Sequence, residues 1–267
     1  MSIIKKYHGY LKFSLPNIDF LIARNPKGKF HNVIFDLNKS MQYYPNTDER
    51  LDLYFDALQK TNMIWTDNIY KQFRVISFIQ ALDHAIYNNP KLSFVELGVW
   101  KGLSAYITAK KLVSHKLDSE LILIDSFEGG LSEKKIEDKS LVKNQSSDEI
   151  LAEKNQFYST ENEVRENLSF YNNLTLIPGW VPQSIQKIKF DKIAFVHFDM
   201  DLYEPTLKAF DLLWPNVASG GVVVFDDHNS TQFPGVQKAF NEISLKYKDD
   251  FYFKYEVPFG SSFIIKK

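Results

Sequence analysis

Cysteine is absent from the 267 residues, which excludes disulfides, thiolate metal sites and cysteine nucleophiles and fits a reducing compartment. An excess of charge of either sign is also missing. Thirty-two basic and 33 acidic side chains leave a formal net charge of -1, and no basic tract interrupts that balance, so nothing electrostatic calls for a nucleic-acid partner. No apolar run is long enough to span a bilayer, and the first twenty residues carry lysines without an apolar core or a small-residue cleavage site. The sequence therefore reads as cytoplasmic, with no membrane partner. It shows no internal repeat and no low-complexity linker. Its 22 Phe and 14 Tyr are first of all core material.

What is present is concentrated between Ala194 and Phe240. Two apolar runs, Ala194 to Phe198 and Val222 to Phe225, read as buried parallel strands, and each stops in carboxylates: Asp199 and Asp201 after the first, Asp226 and Asp227 after the second. The carboxyl edge of an open α/β sheet is where ligands bind. Carboxylates that converge there repel one another unless a cation lies between them, and an all-oxygen donor set favours a hard ion such as magnesium. Asp199, Asp226 and Asp227 are the candidate metal ligands, while Asp201 reads equally as a cap or turn residue. Between the strands, Glu204 and Pro205 suit a first helical turn, Leu207, Phe210 and Leu213 continue at helical spacing, and Pro215 precedes an expected Gly220-Gly221 turn.

Upstream, Leu11 to Leu15 and Asn32 to Leu37 read as short strands separated by turn chemistry at Asn25 to Gly28. Helices are expected from about Asp48, with Leu51, Tyr54 and Leu58 on one face, and from about Asp67 to Asn88, where Ile69, Phe73, Ile76, Ile79, Leu82 and Ile86 recur at three- and four-residue steps. Asn89-Pro90 ends the second. Residues 1–90 form a partly helical extension, a plausible contact surface for a homo-oligomer, and residues 91–267 the main domain.

That domain opens on a strand running into a glycine turn, with Glu96, Gly98 and Gly102 spaced as Glu-x-Gly-x-x-x-Gly and Ser104 on the next helical turn. An acid at this strand end suits an ammonium group better than a pyrophosphate, and the spacing departs from the dinucleotide fingerprint; a plain strand-to-helix turn is the simpler alternative. The next buried strand, Leu121 to Asp125, again ends in an acid, placed to accept hydrogen bonds from ribose hydroxyls. Leu131 to about Asn162 is polar and reads as a surface insertion or a lid. Leu174 to Pro178 is a third strand, followed by Gly179 and Trp180, which either stacks on a base or covers the core. Val236 to Tyr247 reads as a helix, and Phe251 to Val257 with Ser261 to Ile265 as a terminal hairpin.

From about residue 75 onward the chain resembles class I S-adenosylmethionine-dependent methyltransferases, and more narrowly the macrocin O-methyltransferase family of sugar-modifying enzymes. The resemblance rests on Val95-Glu-Leu-Gly-Val-Trp-Lys-Gly-Leu-Ser-Ala, Ile124-Asp-Ser-Phe-Glu-Gly, Pro178-Gly-Trp, Val196-His-Phe-Asp-Met-Asp-Leu-Tyr-Glu-Pro-Thr and Gly220-Gly-Val-Val-Val-Phe-Asp-Asp. It implies a Rossmann-like α/β fold, a mostly parallel seven-stranded sheet with a C-terminal antiparallel hairpin strand. It also implies S-adenosylmethionine and Mg as cofactors and a small-molecule sugar or glycoside as acceptor. By position it assigns Glu96, Gly98 and Ser104 to the methionine end of the cofactor, Asp125 to the ribose, and Ser126, Phe127 and Trp180 to the surroundings of the adenine. Asp199, Asp226 and Asp227 match the magnesium ligands, and Asp199 also the general base. His228-Asn229 stands where the family usually has Tyr-Gly, and Gly129-Gly130-Leu131 replaces the usual Gly-Leu-Pro. His228 is either a partner of Asp199 in catalysis or a polar neighbour of the metal; His197, inward on its strand, reads as a core residue. Two other readings compete: a metal-dependent glycosyl or nucleotidyl transferase, which an acid in the glycine loop opposes, and a binding module without turnover.

Overall fold

The computed structural model describes strand segments at 5–7, 10–15, 18–24 and 30–31, and then residues 49–139, 146, 151–152, 155–257 and 260–267. The expected turn at Asn25 to Gly28 and strand from Asn32 to Leu37 lie outside the described residues, as does most of the stretch from 140 to 150 within the polar insertion. The chain divides into two compact units, Met1–Gln72 and Phe73–Lys267.

In the first unit, β1 (Lys5–Tyr7), β2 (Tyr10–Leu15), β3 (Ile18–Arg24) and β4 (Phe30–His31) form an antiparallel four-stranded sheet in sequence order. Helix α1 (Glu49–Lys60) follows, with acids in its first turn and Lys60 in its last, the polarity that suits the helix dipole. Tyr54 on α1 donates its hydroxyl to Asp67 at 3.0 Å.

Helix α2 (Ile69–Asn88) leads into the second unit. Its sheet has the order β10-β11-β9-β8-β5-β6-β7, with β5 (Ser93–Leu97), β6 (Leu121–Asp125), β7 (Leu174–Pro178), β8 (Ile193–Phe198) and β9 (Val217–Asp226) mutually parallel, and β10 (Phe251–Val257) and β11 (Ser261–Lys266) the antiparallel hairpin. This is the expected seven-stranded α/β sheet. Its inner strands are buried on both faces, β8 without interruption from Ile193 to Phe198, which is why they read as continuous apolar runs. Helices α3 (Leu103–Ser114), α4 (Glu161–Asn167), α5 (Gln183–Gln186), α6 (Tyr203–Leu213) and α7 (Pro234–Lys246) connect them.

Alternation along β8 decides what packs where. Phe198 points to one face, where its ring lies parallel to Phe225 at 5.2 Å and near Phe210 of α6, while Phe225 meets Phe240 of α7 edge-on. Phe195 and His197 point to the other face and meet Phe78 of α2 at 5.5 and 4.9 Å. The sheet is thus clamped between α6 and α7 on one side and α2 on the other.

The expected Gly220-Gly221 turn is corrected: β9 runs through both glycines as a bulged strand. Ile193 pairs with Val217 and Phe195 already with Val222, so the residues between bow out of the ladder. A Cβ on Gly221 would lie 2.8 Å from the Ala218 carbonyl oxygen and 3.2 Å from that of Ala194, a backbone approach that only glycine permits.

Candidate active site

The strand order reverses between β5 and β8, the position at which open α/β sheets bind their ligands. Gly98 follows β5 with φ +83°, and a Cβ on it would sit 1.9 Å from the carbonyl oxygen of Asp199. The two strand ends therefore touch through bare backbone. Asp199 N–H also donates to the Leu97 carbonyl at 2.8 Å.

On the glycine-loop side, Glu96 is buried and its Oε1 accepts from Ser104 Oγ at 2.5 Å. Its Oε2 is buried with no hydrogen-bond partner among the described residues, an acceptor that an ammonium group would satisfy. Glu96 lies beside His197 in the ladder, with His197 Nδ1 3.7 Å from Oε1. Burial disfavours the charged imidazole, but Glu96, Asp199 and Asp226 outweigh it and raise the His197 pKa. His197 is thus a core residue, as expected, in contact with a charge.

Asp125 gathers the neighbouring turns. One oxygen accepts the N–H groups of Val99 and Trp100 at 2.7 and 2.9 Å, the other that of Phe127 at 2.9 Å and, at 3.5 Å, the Ser126 hydroxyl. Phe127 adopts φ +56° to complete that turn. Because Asp125 pairs with Pro178 across the ladder, Gly179 and Trp180 come alongside, and Trp180 Nε1 donates to Glu128 at 3.0 Å. Glu96, Ser104, Asp125, Ser126, Phe127 and Trp180 are thus distributed around the ends of three adjacent strands.

On the other side, Asp199, Asp226 and Asp227 bring one carboxylate oxygen each within 4.8 Å of one another. Successive residues of a strand face opposite ways, so Asp226 and Asp227 can share a site only if the chain leaves the strand. It does: Asp227 has φ +56°, and Asp201 has φ +63° after β8, a conformation that costs a non-glycine residue about 1–2 kcal/mol. Asp201 is buried and joins the cluster. Burial and then Asp226 push the Asp199 carboxyl well above the usual range, and burial with Asp227 does the same to Asp201. Oxygen-only donors crowded to the point of mutual repulsion fit a small hard divalent cation.

Sequence reasoning missed Arg74. This residue of α2 donates through Nη2 to Asp226 and through Nη1 to Asp227 at 3.3 Å; burial disfavours its charge, but the carboxylates, Asp226 first, outweigh that and raise its pKa. The available signal was a basic residue on an apolar helix with no acid three or four positions away. His228 follows the pair but is not in the ring of carboxylates by hydrogen bonding: it is buried, its ring lies 4.5 Å from Phe240, both nitrogens lack partners among the described residues, and burial lowers its pKa. Near the start of the polar insertion, Asp138 accepts the N–H of Tyr203 at 2.6 Å, capping α6 just beyond the cluster.

Residues 51–248 match the family described as macrocin O-methyltransferase (TylF). The chain is 26% identical over 212 residues to demethyldecarbamoylnovobiocin O-methyltransferase of Streptomyces niveus, spanning 76% of this chain and 78% of that protein. It is 25% identical over 218 residues to 8-demethyl-8-(2,3-dimethoxy-alpha-L-rhamnosyl)-tetracenomycin-C 4'-O-methyltransferase of Streptomyces olivaceus, spanning 68% and 82%. Among solved structures, the O-methyltransferase NovP is similar with a TM-score of 0.61 at 22% identity, over 79% of this chain and 87% of that one. The SAH-bound methyltransferase PaMTH1 of Podospora anserina gives 0.52 at 11% identity, over 89% and 99%. These two structures share the fold.

Proposed function

The chain belongs to the macrocin O-methyltransferase family and is an O-methyltransferase; on that premise we propose that it moves a methyl group from S-adenosylmethionine to a hydroxyl of a sugar or glycosylated small molecule, with a magnesium ion at the carboxylate cluster. The observation that carries this reading is the pairing, across one strand crossing, of a buried acid with an unsatisfied oxygen and a convergent set of carboxylates. The sugar acceptor is supported by the names of the two Streptomyces relatives. Family membership sets aside the glycosyl or nucleotidyl transferase. Residues 91–267 are the proposed transferase domain and residues 1–90 its partly helical extension, with a cytoplasmic homo-oligomer as the working form.

Glu96 holds the ammonium of the methionine moiety through Oε2, while Ser104 fixes the rotamer from the other oxygen. Asp125 holds the ribose. Its acceptor positions are engaged by backbone N–H groups, so the long contact from Ser126 is the one that ribose hydroxyls displace. Phe127 and Trp180 flank the adenine. Asp199 receives the proton lost by the acceptor hydroxyl, the part a positioned carboxylate can take as general base. General-base help is worth about two to four powers of ten in rate, and orientation of the acceptor supplies much of the remainder. Bound S-adenosylmethionine supplies a methyl group made electrophilic by the sulfonium, and bound magnesium supplies positive charge where the hydroxyl loses its proton. Asp199, Asp226 and Asp227 would hold that ion. His228, next in sequence to the pair, is the proposed assistant in proton removal.

Glu96→Gln tests the cofactor half. The amide keeps the shape and the Ser104 bond but loses the charge, so calorimetric titration should show S-adenosylmethionine binding weakened about 10- to 100-fold, the size of a lost hydrogen bond to a charged group. Unchanged affinity would remove Glu96 from the site.

A further inference from the structure

We propose that Arg74 is a positioning residue of the metal centre, bridging Asp226 and Asp227 so that both present an oxygen to the same ion; this rests on the magnesium reading above. The two aspartates are neighbours in sequence, like-charged, and turned to one side only because Asp227 takes a left-handed backbone. One guanidinium engages both, Nη2 on Asp226 Oδ2 and Nη1 on Asp227 Oδ1. The fork takes one oxygen of each carboxylate, and one ligand atom from each of the pair lies within 4.8 Å of the other and of one from Asp199.

The fork is delivered by a helix whose register is fixed. One turn along α2 from Arg74, Phe78 sets its ring 4.9 Å from His197 and 5.5 Å from Phe195, which ties the helix to the middle of β8. Arg74 then reaches the carboxyl end of the neighbouring strand β9. Gly260 lies close by: a Cβ on it would be 3.8 Å from Arg74 Nη1 and 3.9 Å from its Cδ. Arg74 thus reaches from the helix with two nitrogens aimed at two successive aspartates. Its planar fork can bridge two carboxylates, and a lysine, a single point of charge, can neutralise them without bridging. Outer partners of this kind orient metal ligands, and their loss typically costs about 10- to 100-fold in metal affinity.

The test needs neither cofactor nor acceptor. Manganese(II), a spin-active stand-in for magnesium, is titrated into wild type, Arg74→Gln and Arg74→Lys, with free ion read by electron paramagnetic resonance and folding followed by circular dichroism. Wild type is expected to bind, and Arg74→Gln to bind about 10- to 100-fold more weakly while remaining folded. Arg74→Lys restores the charge and stays weakened, and it carries the test alone if Arg74→Gln does not fold. Equal or tighter binding by the variants overturns the inference, tighter binding marking Arg74 as a competing counter-ion. Wild type that binds no manganese overturns the metal reading itself, whereas binding by wild type and variants alike removes only the role of Arg74.

Discussion

Asp226→Asn combined with Asp227→Asn is expected to lower methyl transfer by about a thousandfold or more, the scale of several kcal/mol of lost charge stabilisation at the reacting oxygen. The fold should survive. Asp226 closes the ladder of β9 opposite Ser261 and Asp227 lies just beyond it, both half-buried and adding repulsion to Asp199 and Asp201. The amides keep oxygens for Arg74 to bond while removing two like charges, so the two changes in stability oppose each other. The thermal midpoint should stay within a few degrees of wild type, and S-adenosylmethionine binding should persist because Glu96 and Asp125 are untouched. Transfer assays with calorimetric binding check this; full turnover in the double variant would remove the cluster from catalysis.

Gly98→Ala should do the reverse and damage the scaffold and the site together. Its φ of +83° costs alanine about 1–2 kcal/mol. The added Cβ would lie 1.9 Å from the Asp199 carbonyl oxygen and 2.6 Å from its carbon, and such overpacking costs about 1–3 kcal/mol when backbone has to move. Together they give about 3 kcal/mol or more. Relief can come only by separating β5 from β8, which moves Glu96 and the glycine loop away from Asp199 and the carboxylate cluster. The expected result is a lower denaturant midpoint with loss of both cofactor binding and transfer. A variant as stable and active as wild type would contradict the crossing described here.

Runs such as Leu121 to Asp125 and Ala194 to Asp199 are legible because a parallel strand buried on both faces is apolar throughout and stops where the acids begin. The acids themselves mark the edge at which they meet. Arg74 escapes the same logic because its partners lie 152 and 153 residues away, and helical spacing reports the face that a residue shares with its neighbours, not the charge it finds across the fold. The bulge in β9 escapes for a related reason. A glycine pair reads as a turn, and only the close approach of Ala194 to Gly221 explains why the strand continues. Asp201, open in sequence between cap and cluster, is buried beside Asp227, while the convergent set is Asp199, Asp226 and Asp227.

Transfer of a labelled methyl group from S-adenosylmethionine to a panel of sugars, nucleotide sugars and glycosides, run as prepared, after chelation, and with magnesium restored, tests the account most directly. It predicts O-methylation of at least one sugar hydroxyl, abolished by the chelator and recovered with magnesium. Transfer indifferent to chelation would contradict the metal's part in the reaction, and donor binding without transfer to any sugar would contradict the acceptor.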